Sequence, residues 1–337
     1  MNRRLPLKYF SRRRAIAVIG ATAVGAIAGL SQSGRTRAAT ATSRWRGVAL
    51  GAEAEITIVH ENLVSARSIL RQCVAEIRRL EHVFSLFDPN SELVRLNAHG
   101  RLAAPSHDLV ALLSSAQRYG SLTGGAFDVT VQPLWRLVAR QIARRGSILT
   151  RRQIETTARL VDYRAMELGS KRIAFAGEGM AVTLNGIAQG YITDRVADLL
   201  RNEGLDSVLV SLGEFRAAGA HPSGRPWAVG LSRPGGRQAL FHQAQLTEEA
   251  IATSAGAGLN FDPSGRYHHI LDPATGTGAM LHASVSVIAP RAIDADALST
   301  ALCLVPWVQA PRFLTKAGGR RAIVLGHDGG IREAHAS

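Results

Sequence analysis

The chain of 337 residues carries 40 Lys and Arg against 26 Asp and Glu, a formal charge of +14 at pH 7. Eight of those basic residues and no acids fall in the first 41 positions, so the remainder carries +6 (+14 less eight) without a basic block, which excludes a strongly basic nucleic-acid-binding protein. Two cysteines, Cys73 and Cys303, stand in no CxxC or metal-ligand spacing; a zinc site is not expected, and they read as two small buried hydrophobes rather than a disulfide.

The chain opens with Arg3, Arg4 and Lys8, then Ser11 and the arginines Arg12, Arg13 and Arg14, then an apolar Ala- and Gly-rich run from Ala15 to Leu30. That run falls short of the ~20 residues of a spanning helix. Twin arginines before a mildly hydrophobic core read as a Tat-type export signal, with an A-x-A cleavage site at Ala39, Thr40 and Ala41. The expectation is a signal over 1–41 and one periplasmic domain over 42–337, without a membrane span of its own.

Glu53–Val59 alternates Ala54, Ile56 and Ile58 with Glu55 and Thr57, the pattern of a half-buried strand. From Ser65 to Phe84, Leu70, Val74, Ile77 and Leu80 recur at helical spacing, with Arg71, Arg78 and Arg79 outward. A DPN turn follows, then Ser91 caps a short helix, and His107–Tyr119 forms another with Leu109, Leu112, Leu113 and Ala116 inward. Gly124 and Gly125 open the run GGAFDVTVQPLWRL, where Asp128 sits in a strand-like context as either a turn cap or a ligand contact. Arg151–Arg159 reads as a short solvated helix. Met180–Leu184 reads as a strand, and NGIAQGYITDRVADLL from Asn185 as a glycine turn and helix whose N-terminal amides either meet a phosphate or only close a turn. Strands follow at Ser207–Leu212, Trp227–Leu231, Ala250–Ser254 and Arg321–Leu325, with a short helix near Phe313. Early long helices and late strands, without βαβ alternation, predict an α+β domain.

The segment Tyr267–Thr300, YHHILDPATGTGAMLHASVSVIAPRAIDADALST, concentrates the chemistry. It holds the imidazoles of His268 and His269, an Asp272-Pro273 turn, tight bends at Gly276 and Gly278, and a strand over Ala283–Ala289. Asp294 is expected to N-cap a helix through Leu304 that puts Asp296 and Thr300 one turn apart. A carboxylate and a hydroxyl so spaced suit a hard cation such as Mg²⁺. They also suit an ordinary solvated helix face, which is the commoner case.

Taken together, FSLFDPNSELVRLN at Phe84, GGAFDVTVQPL at Gly124, NGIAQGY at Asn185, LVSLG at Leu209, ATSAG at Ala252, YHHILDPATG at Tyr267 and DADALSTAL at Asp294 resemble the ApbE family of FAD:protein FMN transferases. The resemblance is collinear from about Val48 to Leu325. It implies a single compact α+β domain, related to the T-fold, with a mostly antiparallel sheet flanked by helices. It also implies a Mg²⁺-dependent enzyme that takes FMN from FAD, joins its phosphate to a Thr or Ser of an acceptor flavoprotein and releases AMP. By match to the family motifs, Gly186 (through its carbonyl), Asp296 and Thr300 would hold the metal, and His269, with Asp296, would serve the chemistry. Leu50, Phe87, Ala126, Phe127, Asp128, Thr183, Gln189, Thr253, Ser254 and Ile270 fall where the family meets FAD. Thr183 stands where many members have Asp, Phe87 where Tyr is usual, Leu50-Gly51-Ala52 where Met-Gly-Thr is usual, Gln189 where Lys or Glu is frequent, and Glu214 in place of the second Gly of a pair. The LNGIAQGY variant with a Tat signal resembles the NosX branch associated with nitrous oxide respiration, whose acceptor would be a NosR-like membrane flavoprotein. Two other readings stand beside transfer: hydrolysis of FAD to FMN and AMP at the same site, and non-catalytic FAD delivery.

Overall fold

The computed structural model describes residues 41–60, 62–143, 149–234, 239–256 and 267–337. The expected export signal lies outside the described residues except for Ala41.

A hairpin comes first: strand β1 (Ala41–Ala49) pairs antiparallel with β2 (Ala52–His60). Its two-residue turn, Leu50-Gly51, has φ of 46° and 77°, the primed geometry that matches strand twist. β2 alternates as expected and buries Ile56 and Ile58. β1 goes unanticipated because its inward face carries Ser43, Gly47 and Ala49 beside Trp45 while Val48 is exposed, so apolar residues do not mark one face; outward, Arg44 and Arg46 both pair with Glu55 of β2.

Helix α1 (Leu63–Phe84) starts at Asn62, whose side chain accepts the N–H groups of Val64 and Ser65, and it buries a stripe including Ile69, Leu70, Cys73, Ile77 and Leu80. Next come α2 (Glu92–His99), capped by Ser91, strand β3 (Arg101–Ala103), α3 (His107–Thr123), α4 (Gln132–Ala143), α5 (Arg151–Ala158), β4 (Met166–Leu168) and β5 (Arg172–Phe175). The three short strands form a small sheet in the order β3-β5-β4. Helix α6 (Ala188–Asn202) leads to β6 (Val208–Ser211), β7 (Phe215–Ala218), β8 (Trp227–Ser232), β9 (Leu240–Leu246), β10 (Ala250–Ser254) and β11 (Ser284–Ala289). The chain ends with α7 (Ala292–Leu302), α8 (Ala310–Ala317), β12 (Arg321–Leu325) and β13 (Ile331–His335).

The main sheet has eight strands in the order β1-β2-β6-β7-β10-β11-β12-β13, every neighbouring pair antiparallel. Side-chain alternation assigns its two faces. Ile56, Ile58, Val208, Val210, Val285, Val287, Ala322 and Val324 join the large core with α1, α3, α6 and α7. Phe215, Ala217, Ile251 and Ile323 point the other way, under the β8–β9 ribbon with Val229, Leu231, Ala244 and Leu246. The expected α+β class and antiparallel sheet are what the chain forms.

Three local expectations need correction. Asp294 does not cap α7; Arg291 holds the N-cap position and Asp294 lies in the first turn, buried, bonded by Tyr119 and Arg291. Met180–Leu184 joins no sheet; it is a buried extended segment whose Val182 N–H and C=O are both held by the Asn97 side chain at 2.7 and 2.8 Å, a side-chain substitute for a strand partner. Asp128 is not in a strand but caps a 3₁₀ turn over Val129–Val131.

Candidate active site

The site is built where the start of α6 meets α7. Helix α7 is apolar almost all round and buried on nearly every side, which overturns the solvated-face reading: Asp296 is 3% exposed. Its carboxylate Oδ2 accepts the Gly190 N–H of α6 at 3.0 Å. In return Asp194 of α6 accepts the N–H groups of Ala292 and Ile293, in the first turn of α7, at 2.8 and 3.0 Å, and is paired with Arg216. Each helix thus lends a carboxylate to amides at the other's start. The close approach depends on Gly190, where a Cβ would stand 2.4 Å from the Ala292 carbonyl oxygen.

Four residues before Gly190, Gly186 lies in the turn that opens α6. A Cβ there would be 3.0 Å from Thr300 Oγ1 and 3.3 Å from the Phe127 ring, so the structure brings Gly186, Phe127 and Thr300 together from three distant segments. Ser254, at the end of β10, continues the cluster: its Oγ is 3.2 Å from Thr300 Oγ1 and 2.8 Å from Ser299 Oγ. Gln189 is buried in the first turn of α6. Thr183 just precedes this turn, its N–H donating to Val129 and its Oγ1 accepting the Asn185 N–H. Asp128 binds the Thr130 amide and hydroxyl and the Tyr163 N–H; burial pushes its carboxyl above the usual range, and these donors offset that only in part. Of its two readings, the turn cap is what the geometry shows. Ala126 is half-buried against the large core, beside Phe127, whose ring stands edge-on to Tyr119 at 6.1 Å.

The histidine segment is folded back on itself. Ala279 N–H donates to the Ile270 carbonyl, Leu271 bridges Gly278, and Asp272 closes the turn by accepting the Ala274 N–H. His268 Nδ1 accepts the Ile270 N–H, so its proton is on Nε2, which donates to the Ala279 carbonyl at 2.8 Å. His268 is therefore committed to holding the loop. Gly256, two residues past Ser254, sits directly against that ring, where a Cβ would be 2.7 Å from Nε2. The loop is docked in this way beside the end of β10, and the half-buried His269 follows with its ring 6.1 Å from His268.

Leu50 and Phe87 lie near the C-terminal end of α1: the Leu50 N–H donates to Glu81, the Phe87 N–H donates to the Ser85 hydroxyl just past the helix, and the Phe87 side chain is 85% exposed. Thr253 is tied into the sheet through Ser286 Oγ at 2.8 Å, and its N–H donates to Glu214, a carboxylate only 1% exposed. Sequence reading did not single out Asp194, Arg216, Tyr119 and Ser299, and it gave Asp294 the role of a cap. The available signal was the acids inside the largely apolar helical stretch Ala292–Leu302, where a charge must have a partner; Asp194, between Thr193 and Arg195, carried no such mark.

The family model for the ApbE family matches residues 50–324. The chain belongs to the ApbE family. Among its relatives, the FAD:protein FMN transferase of Salmonella typhimurium is 27% identical over 295 residues, covering 84% of each chain, and that of Treponema pallidum is 31% identical over 287 residues, covering 78% of each. The crystal structure of the ApbE protein of Thermotoga maritima superposes with a TM-score of 0.79 at 27% identity, over 87% of this chain and 97% of that one. The flavin transferase ApbE from Vibrio cholerae, at 24% identity and a TM-score of 0.76, shares the fold. The ApbE fold thus places the α6–α7 crossing, the end of β10 and the histidine loop at one locus of this chain.

Proposed function

We propose that this ApbE-family protein is an FAD:protein FMN transferase that moves FMN from FAD to a Thr or Ser hydroxyl of an acceptor flavoprotein and releases AMP. The observation that carries the reading is the convergence of Asp296, Thr300, Ser254 and Gly186, from three parts of the chain, onto the opening turn of α6. The relatives named as FAD:protein FMN transferases, matched over most of their length, support it.

The donor set is oxygen alone: one buried carboxylate, neighbouring hydroxyls and a backbone carbonyl. That chemistry fits Mg²⁺, a hard cation that takes few protein ligands and leaves positions for water and substrate phosphates. Asp296, Thr300 and the Gly186 carbonyl would hold it, and bound there it would offset charge on the phosphates. The chain's own residues supply the rest. The positive end of α6 faces Asp296 and favours negative charge at this place. Asp296, held by the Gly190 amide, is fixed in orientation. His269 takes the proton from the acceptor hydroxyl as its oxygen bonds to the FMN phosphorus and the bond to the AMP oxygen breaks. The exposed Phe87 ring offers a stacking face for an aromatic ring system.

The basic, apolar N-terminal sequence supports export by the Tat route and action in the periplasm. The LNGIAQGY variant motivates a NosR-like membrane flavoprotein as acceptor. Incubating the protein with FAD, Mg²⁺ and a purified candidate acceptor tests the reading. Flavin that stays on the acceptor through denaturation is expected. FMN and AMP without labelled acceptor would replace transfer by hydrolysis, unchanged bound FAD would replace it by delivery, and full transfer in excess chelator would remove the metal. His269→Ala is expected to keep FAD binding and lose turnover, and normal turnover would take His269 out of the mechanism.

A further inference from the structure

An open groove of about 500 Å³ lies between β1 and α1, lined by Arg44, Arg67, Arg71 and Arg78 around Trp45, Leu70, Val74 and Ala75. None of its residues belongs to the α6–α7 locus. Arg44 shares Glu55, but among the described residues Arg67, Arg71 and Arg78 have no ion pair or hydrogen bond. Three like charges therefore converge on one concavity without a carboxylate among them, although the same helix ties Arg79 to Glu76 and Asp108. The floor is apolar, and the indole of Trp45 is held down along β1 because Gly47 leaves it room; a Cβ at Gly47 would lie 2.4 Å from the ring.

Val64, Arg67, Arg71 and Arg78 follow one another at helical spacing, so they form a single outward stripe of α1. Val64 is 76% exposed and Leu63, beside it, 43%. The stripe thus presents aliphatic side chains at its leading end, guanidiniums along its length and an indole at its flank.

We propose that this groove seats the phosphate headgroups of an anionic phospholipid surface and holds the protein peripherally on a membrane. Guanidiniums pair bidentately with phosphate, indoles prefer the headgroup level, and exposed aliphatic groups enter the acyl boundary. An acidic protein segment would satisfy the arginines but would leave Leu63 and Val64 without a role.

Flotation of the full chain with phosphatidylcholine vesicles, with and without phosphatidylglycerol, tests this. Salt-sensitive binding is expected only where phosphatidylglycerol is present. R67Q/R71Q/R78Q should weaken it about a hundredfold, from roughly fivefold per guanidinium. The N-terminal segment is common to both proteins, so the difference reads the groove. Tryptophan emission should shift to the blue on the anionic vesicles, and W45F should remove most of that shift. Transfer to a soluble acceptor should be unchanged in the triple variant, which separates this proposal from the transferase reading. Equal binding to both vesicle types, or unaltered binding by the triple variant, would overturn the proposal. So would arginine-dependent binding of inorganic phosphate or poly-glutamate without vesicle binding.

Discussion

Replacing Gly190 by Ala is the sharpest probe of the α6–α7 crossing. The added Cβ would stand 2.4 Å from the Ala292 oxygen and 2.7 Å from Ile293 Cα, whereas ordinary contact begins at 3.4 Å, so the helices must part by about 1 Å. Both obstacles are backbone, and no side chain can rotate away. Overpacking of this kind costs ~1–3 kcal/mol. Parting the helices also weakens the Gly190–Asp296 bond and the two amide bonds to Asp194, a charge-assisted set whose loss costs ~1.5–3 kcal/mol. Alanine's better helix propensity returns ~1 kcal/mol. The net loss is ~1.5–5 kcal/mol, read as a fall in Tm of roughly 3–20 °C. Asp296 would move relative to Gly186, and a displacement of that size costs about a hundredfold in turnover. Differential scanning calorimetry and an AMP-release assay measure the two effects. A Tm within about 2 °C of the parent together with normal turnover would refute the crossing as described.

Other substitutions test neighbouring claims. Asp194→Asn leaves Arg216 in a buried place where, among the described residues, its remaining carboxylate is Asp198 at 3.9 Å, and should cost about 3 kcal/mol by urea denaturation; a change under about 1 kcal/mol would show the pair is not needed. Glu76 is held below the usual carboxylate range by its hydrogen bond from Arg79. Burial raises Asp108, but the Tyr191 hydroxyl and Arg79 outweigh it and bring the carboxyl below its usual range. Because both are depressed in the folded state, their contribution is present above the unfolded value of about 4 and is lost as pH falls through the folded one. Arg79→Leu should therefore destabilise strongly at neutral pH and progressively less below pH ~4, and a pH-independent effect on the urea midpoint would contradict this. Burial pushes both thiols, Cys73 and Cys303, up to about 12, so native protein at pH ~8 should resist a thiol reagent while denatured protein shows both. Rapid native labelling of either would refute their burial.

Local patterns were legible where one face is wet and the other is plainly apolar. Alternation placed β2, helical spacing placed α1 and α3, and Ser91 announced its cap, because a half-buried element writes its period into the sequence. β1 stayed hidden because its inward face is largely Ser43, Gly47 and Ala49, too weakly apolar to mark a side, while Val48 points outward. Reading by pattern also mistook Met180–Leu184 for a strand, because a segment paired by the Asn97 side chain is as apolar as one paired by backbone. The family motifs named Asp296, Thr300 and Gly186 together, but spacing could relate only the first two, which share a helix. Asp294 looked like a cap since an acid near a helix start usually is one; its burial with Tyr119 and Arg291 depends on α3 packing against α7.

By itself, then, the sequence determined β2, α1, α3 and the late strands β6, β8, β10, β11 and β12, the α+β class, the chemistry available to the histidine loop and α7, and the family. Only the tertiary structure decided that α6 and α7 cross closely enough for each to hold the other's amides, that His268 is spent on its own loop, and that the arginines of α1 gather around Trp45. The physical reason is common to all three. Spacing along a chain fixes what shares an element, while contact between elements depends on which residues are small enough, as Gly190 and Gly47 are, to let backbones and rings approach.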